Sequence, residues 1–237
     1  MPSPILLDDL PLPTRPRAGR ELGGGLRPLL EPIVDLRTGD AVAHELLVRP
    51  RSGISLMELH RRTGDWLLPE VTGSVLELAG SLLGRRQHPL HVNITGLDLD
   101  RPTFADDVLR AVPGSRLGSL VLEVTEQFPL VESAATLANV DRLRRVGVAF
   151  AIDDFGQGWS NLRSLVVLRP QVVKVTREVV EGDLTDGLAR WVVRTARRVG
   201  ATTVLEQIER PGQDAWAAAV GFDAGQGWLW TDRVPVG

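Results

Sequence analysis

The stretch SLVLEVTEQFPLVESAATLANVDRLRRVGVAFAIDD, residues 119–154, reads as a strand, a helix and a second strand. SLVLEVTE and VAFAIDD are short apolar runs with β-branched residues. Between them, AATLANVDRLRRVG repeats its apolar residues three and four apart and closes on a glycine. A strand that returns to the same sheet through a helix runs parallel to the first, with a right-handed crossover. The same alternation extends in both directions from this unit. EPIVDL, AVAHELLVR, LHVNIT, SLVLEVTE, VAFAIDD, QVVKVT, TTVLEQIE and AGQGWLW make eight candidate strands, with helical patterns such as DVLRAV and LARWVVRTARRVG among the later ones. The first two are joined by RTGD, a hairpin-like turn, so they should be antiparallel. Eight strands from about residue 28 onward point to an α/β fold, a TIM-type (β/α)8 barrel with an antiparallel first strand. A doubly wound open sheet is the alternative; it usually carries a Gly-rich phosphate turn after its first strand, and this sequence has none.

The 237 residues, 43% of them hydrophobic, suffice for one substantial core. Residues 1–25 are rich in Pro and Gly and end in a triple Gly, so they are expected to form a flexible tail, too short for a sensory domain. Residues 26–237 form the expected barrel domain. With no Cys there is no disulfide framework, thiolate metal site or cysteine nucleophile, which suits a reducing cytoplasm. The net charge of -3 argues against a polyanion-binding protein, and the Arg pairs fall in helix-like segments as solvated faces. Long nucleic acid is therefore not an expected partner. No apolar run approaches the roughly 20 residues of a membrane span, and the N-terminus lacks signal-peptide character, so the expectation is a soluble cytoplasmic chain without membrane attachment.

Six of the runs place a polar residue close to the C-terminal end of an otherwise apolar strand: Glu45, Asn93, Glu123, Asp153 with Asp154, Lys174 and Glu206. The eighth run adds Gln226. Parity aligns Glu123 with Val121, Asp153 with Ala151, Lys174 with Val172 and Glu206 with Val204, so each continues a core-facing row. In a barrel the C-terminal strand ends converge on the face that carries catalytic residues. Any one such carboxylate can be a solvated loop residue or a helix cap; six strands repeating the pattern form a constellation. Five carboxylates at one mouth repel and raise one another's pKa unless countercharge is present. One lysine, the only one in a chain with twenty-six arginines, cannot balance them. Divalent cations can, and an all-oxygen donor set suits Mg²⁺ or Mn²⁺. Two such ions roughly 3.5–4 Å apart serve phosphate-ester hydrolysis. The lysine offers a compact ammonium with three rotatable donors, able to hold an attacking water and offset transition-state charge.

These residues resemble the motifs of the EAL domain family, the cyclic di-GMP phosphodiesterases, over essentially everything from residue 28 onward. EPIVDLRTGDAVAHELLVRP resembles the family's opening, with Glu45 heading its Glu-Ala-Leu signature and Arg49 four residues on. HVNITG, LEVTE, AIDDFGQGWSNL, VVKVTR, LEQIE and GQGWLW resemble the later motifs in order. The resemblance implies Glu45, Asn93, Glu123, Asp153, Asp154 and Glu206 as ligands of two Mg²⁺ or Mn²⁺ ions, with Asp153 bridging, and Lys174 positioning the hydrolytic water. Glu209 and Gln226 would line the site, Glu126 would anchor the loop of residues 155–162, and Arg49 and Arg177 would lie near the substrate phosphates. The implied reaction opens the ring of cyclic di-GMP to linear pGpG. The resemblance also implies a homodimer, and a separate sensor or regulatory protein is a possible partner. Six positions depart from the family pattern: Val175 stands for an Ile, Thr176 for an Asp, Gln207 for a Gly, Gln157 for a Thr, Trp159 for a Tyr, and Leu46 for the Ala of the signature. The last helix is also absent or very short. Leu46 matters least, because its parity turns it away from the mouth.

His44 alternates outward from Glu45 as a packing or surface residue, and His91 shares parity with Asn93 as a satisfied core histidine. Trp228 and Trp230 have the chemistry to stack a guanine, but in a closing strand they are expected in the core. Two further readings remain open: a catalytically inactive EAL domain acting as a cyclic di-GMP receptor or interaction module, suggested by Thr176 and Gln207, and a metal-assisted proton abstraction of the enolase type, which usually needs a substantial capping domain.

Overall fold

The computed structural model of the protein describes residues 5–6, 26–51, 53, 68–85, 87–125, 130–156, 161–180 and 185–233. Nine strands form one sheet in chain order: β1 (Ile5–Leu6), β2 (Leu26–Asp35), β3 (Ala41–Pro50), β4 (Leu90–Thr95), β5 (Leu120–Thr125), β6 (Ala149–Ile152), β7 (Val172–Thr176), β8 (Thr202–Glu206) and β9 (Ala224–Gln226). The last eight close on themselves because β2 also pairs with β9, Ile33 lying opposite Gln226. From β3 to β9 every neighbouring pair is parallel, while β2 runs antiparallel to both β3 and β9. The eight-stranded barrel with its antiparallel first strand is thus the fold that the alternation of runs implies. The β2–β3 turn is organised by Asp35, whose carboxylate accepts from the backbone N–H groups of Arg37 and Thr38.

Within the segment expected to be a tail, Ile5 and Leu6 pair with Leu30 and Leu29 on the free edge of β2. The eighth run is shorter as a strand than its sequence suggests: β9 ends at Gln226, and Trp228–Arg233 form a 3₁₀ turn. Gly227 is the reason, since it takes φ +145° and sits against the backbone of Ile208. Gln226 therefore lies at the C-terminal end of its strand, with the other polar strand ends.

The helices α1 (Leu68–Leu83), α2 (Gly96–Asp100), α3 (Phe104–Ala111), α4 (Ala134–Arg145), α5 (Asn161–Leu168), α6 (Arg177–Val180), α7 (Thr185–Arg198) and α8 (Gln213–Val220) cover the outside of the barrel. The main core lies between them and the outward faces of the strands, where Leu46, Val92, Leu122, Phe150, Val173 and Leu205 are buried. Leu46 is thus turned away from the mouth, as its parity requires. A second, smaller apolar cluster of Ile33, Ala43, Val204 and Ala224, with Val172 against it, belongs to the inward-facing rows. Polar residues continue those rows toward the C-terminal strand ends. Among the described residues no helix is long and apolar enough to cross a membrane.

Candidate active site

Lys174 is the organising residue of the inward-facing polar layer. It is fully buried, and its ammonium lies 2.9 Å from Glu45 Oε2, 3.0 Å from Glu123 Oε2 and 2.8 Å from Glu206 Oε1, with Asp153 Oδ1 at 3.6 Å. The barrel makes this possible because β3, β5, β7 and β8 each turn an inward-facing residue toward the same point, although Lys174 and Glu45 stand 129 residues apart in the chain. Three N–H donors meet three carboxylates, a tetrahedral arrangement that an ammonium supplies and a planar guanidinium does not.

Further partners fix the carboxylates. Asn93 Nδ2 donates to Glu45 Oε1 at 2.5 Å, and Gln226 Nε2 donates to Glu45 Oε2 at 2.6 Å and to Glu31 Oε2 at 2.7 Å. His91 Nδ1 lies 2.5 Å from Glu123 Oε1. Burial, followed by the charge of Lys174, brings the His91 imidazole down to about 3, so at neutral pH the ring is uncharged and shares one proton of this hydrogen bond with Glu123. His91 is the satisfied core histidine its parity suggests, yet its partner is a site carboxylate. It and Glu31 belong to the site and are missing from the strand-end pattern. Parity could have found both: His91 shares a face with Asn93, and Glu31 pairs across β2–β3 with Glu45.

Electrostatics divide the carboxylates. Burial works to raise Glu45, but Lys174, Gln226 and Asn93 outweigh it and bring the group down to about 2. Burial, opposed by Lys174 and reinforced by neighbouring carboxylates, holds Glu123 and Glu206 well above the usual carboxylate range. Asp154 is raised by burial and by Asp153 beside it. Burial opposes the charge of Lys174, but Glu123, Glu45, Glu206 and Asp153 outweigh it and raise its pKa well above the ordinary lysine value. With no metal bound, the surrounding carboxylates therefore favour the charged form of Lys174.

Asp153 and Asp154 follow β6, and the chain turns sharply there, with Asp154 at φ +55°. Asp153, Asp154 and Glu206 bring carboxylate oxygens within 4.8 Å of one another. Asp153 Oδ1 is buried and makes no hydrogen bond. A buried acceptor that no donor bonds, with the Lys174 ammonium no nearer than 3.6 Å and the oxygens of Asp154 and Glu206 close by, fits a hard divalent cation such as Mg²⁺ or Mn²⁺. Glu45 and Glu123 are more buried than Asp153, Asp154 and Glu206, turned toward Lys174, Gln226 and His91, and Asn93 donates to Glu45. Above these groups opens a cavity of about 510 Å³, lined by Glu31, Glu45, Asp153, Asp154, Thr176, Arg177, Glu206, Gln207, Glu209, Gln226 and Trp228 among others.

Arg177 and Glu209 thus stand at the cavity wall, while Arg49 is exposed at the end of β3, where its guanidinium donates to the Val48 carbonyl. Glu126, Gln157 and Trp159 lie outside the described residues. Trp230 is buried, but Trp228 is 67% exposed at the cavity, so the expectation that both tryptophans belong to the core holds for one of them. The cause is the 3₁₀ turn after Gln226. Gln207 takes φ +59°, a left-handed conformation that accounts for the family's glycine at this position.

A family model described as the EAL domain matches residues 20–232. The chain belongs to the EAL domain family. This EAL domain is 29% identical over 227 residues to the cyclic di-GMP phosphodiesterase NbdA of Pseudomonas aeruginosa, a match covering 87% of this chain and 28% of NbdA. It is 28% identical over 223 residues to the probable cyclic di-GMP phosphodiesterase PdeB of Escherichia coli, covering 86% of this chain and 42% of PdeB. Among solved structures, the calcium and cyclic di-GMP complex of Klebsiella pneumoniae BlrP1 superposes with a TM-score of 0.74 at 26% identity, over 97% of this chain and 59% of BlrP1. The EAL domain therefore spans well under half the length of these two curated relatives.

Proposed function

We propose that this EAL domain hydrolyses cyclic di-GMP to linear pGpG with the help of two divalent ions, Mg²⁺ or Mn²⁺. The observation that carries the reading is the single lysine of the chain, fully buried and held by carboxylates of three other strands at the mouth of the barrel. The names of NbdA and PdeB and the ligand of the BlrP1 complex support it. Asp153, Asp154 and Glu206 would hold the ions, with Glu45, Asn93 and Glu123 as further oxygen ligands. Bound divalent ions activate water at neutral pH and stabilise the leaving oxygen of a phosphate ester.

The residues of the chain do the rest. In its protonated form Lys174 serves as a donor and a positive charge toward the attacking water and the phosphoryl oxygens, and the proton of that water passes to a carboxylate. A new bond forms between the water oxygen and phosphorus. The bond to one ribose 3′ oxygen breaks, and that oxygen takes up a proton, balancing the one the carboxylate received from the water, and leaves as a hydroxyl, giving a linear dinucleotide with a terminal phosphate. Gln226 keeps Glu45 oriented, as His91 does Glu123. Arg177 and Arg49 would meet substrate phosphates, Glu209 would line the mouth, and Glu126 would anchor the loop after the Asp pair. A homodimer and a separate sensory protein belong to the same reading.

A second reading, a receptor that binds cyclic di-GMP without turnover, draws on Thr176, which offers no carboxylate at the cavity, and on Gln207, whose longer side chain replaces a glycine there. Calorimetry and turnover counting with Mn²⁺ separate the two. The enzyme converts many equivalents of cyclic di-GMP per protein molecule, whereas tight binding with no linear product assigns the receptor.

A further inference from the structure

We propose that Glu31 is a positioning residue: from the antiparallel strand β2 its carboxylate fixes which way round the buried amide of Gln226 sits, and through that amide it holds Glu45. Glu31 stands apart from the strand-end acids of the site, yet it lines the same cavity.

Its place follows from barrel closure. β2 pairs with both β3 and β9, with Glu31 opposite Glu45 and Ile33 opposite Gln226. Glu31 lies two residues before Ile33 on the same inward row, so its side chain reaches both Glu45 and Gln226. The main chain of Gln226 is already fixed, because its carbonyl accepts from Ile208 N at 3.0 Å and Gly227 turns against the Ile208 backbone. Gln226 is 3% exposed. The choice left to its side chain is the half-turn of the amide that exchanges Nε2 with Oε1.

Two carboxylate oxygens decide that half-turn. Nε2 donates to Glu31 Oε2 at 2.7 Å and to Glu45 Oε2 at 2.6 Å, one hydrogen to each. Oε1 is left buried with no hydrogen-bond partner. A buried acceptor is ordinarily paired, so its isolation is imposed from the nitrogen side. Turning the amide over would set Oε1 against both carboxylates. Glu45 alone is the weaker constraint, since Asn93 and Lys174 also donate to it and it keeps partners when the amide turns. The carboxylate of Glu31 makes the orientation unique, and the NH₂ group shared between two acids paired across β2–β3 offsets their repulsion.

Resting on the proposed function, in which Glu45 is an oxygen ligand, the same lock supports the metal. Partners that orient a ligand from outside the coordination shell are worth roughly ten- to hundred-fold in metal affinity.

The test uses the whole chain as wild type, Glu31→Met, Glu31→Ala and Glu31→Gln. The Gln226 side-chain amide is followed by NMR in chelator, identified by its absence in Gln226→Glu, and Mn²⁺ affinity is measured by calorimetry. In the wild type both amide protons are hydrogen-bonded and exchange slowly with water. In the Met and Ala variants one is released, the resonances shift and exchange quickens. These two variants bind Mn²⁺ roughly ten- to hundred-fold more weakly. Glu31→Gln loses the charge but keeps an oxygen for Nε2, and stays within about threefold of the wild type. Unchanged Gln226 resonances in the Met and Ala variants overturn the lock. Equal losses of Mn²⁺ affinity in the Gln, Met and Ala variants overturn it as well, because charge alone then accounts for Glu31. No Mn²⁺ binding by the wild type overturns the metal reading, and the amide resonances then still decide the lock.

Discussion

Lys174 meets Glu45, Glu123 and Glu206 at 2.8 to 3.0 Å, and removing its charge leaves those buried carboxylates without a cation. Breaking a buried ion pair on one side costs about 3–5 kcal/mol. Lys174→Met should therefore lower metal-free stability by an amount of that order, read by denaturation in chelator, and Mn²⁺ should recover more of the loss in the variant than it adds to the wild type. The deficit should shrink as pH falls, because protonated carboxyls need no counterion. Unchanged metal-free stability would show that the lysine is not the counterion. At Gln207 the left-handed backbone carries strain of about 1 kcal/mol for a residue with a Cβ. Gln207→Gly should stabilise by up to that amount, and a loss of stability would show that the side chain makes a contact that outweighs the strain. At this scale parity placed the lysine and the carboxylates on inward rows. It did not give their partners, since the Gln226 bond to Glu31 spans 195 residues and depends on barrel closure. His91 and Glu31 fall outside the strand-end pattern because they sit one step deeper or on the antiparallel strand, away from the parallel strand ends.

Among the elements, α1 and α3 cross where Gly80 leaves no room for a side chain, an added Cβ falling 2.0 Å from the Ala111 carbonyl oxygen. Helix propensity alone would have Gly80→Ala stabilise α1 by about 1 kcal/mol. Overpacking at the crossing acts the other way, by about 1–3 kcal/mol, and should win, so the variant should unfold at lower denaturant than the wild type. A higher midpoint would mean that the two helices separate without cost. Hydrophobic periodicity made the central strand, helix and strand legible to within a residue or two, because each buries one face against a layer. It failed at the eighth run. AGQGWLW has the composition of a strand throughout, and only the approach of Gly227 to Ile208, a contact between β9 and the loop after β8, ends it at Gln226.

For the molecule as a whole, closure of β2 onto β9 sets carboxylates from several strands around one ammonium, and in the proposed function divalent ions would supply the remaining countercharge. Burial holds Glu206 and Asp154 above the ordinary carboxylate range, so without metal they retain protons at pH values where free carboxylates have lost them. A metal ion must displace those protons. Mn²⁺ affinity should therefore rise with pH through the raised pKa values, and calorimetry in buffers of different ionisation enthalpy should detect proton release on binding. Affinity independent of pH, with no protons released, would remove these two residues from the ligand set. The barrel was legible because its strands and helices alternate with fixed periods, whereas the division of labour among the acids was not, since it depends on distances that only the closed sheet defines. Phosphodiester hydrolysis at this mouth is tested most directly by chromatographic product analysis of cyclic di-GMP incubated with the purified chain and Mn²⁺. Linear pGpG should accumulate well beyond the protein concentration; cyclic di-GMP left intact at stoichiometric protein would contradict the assignment.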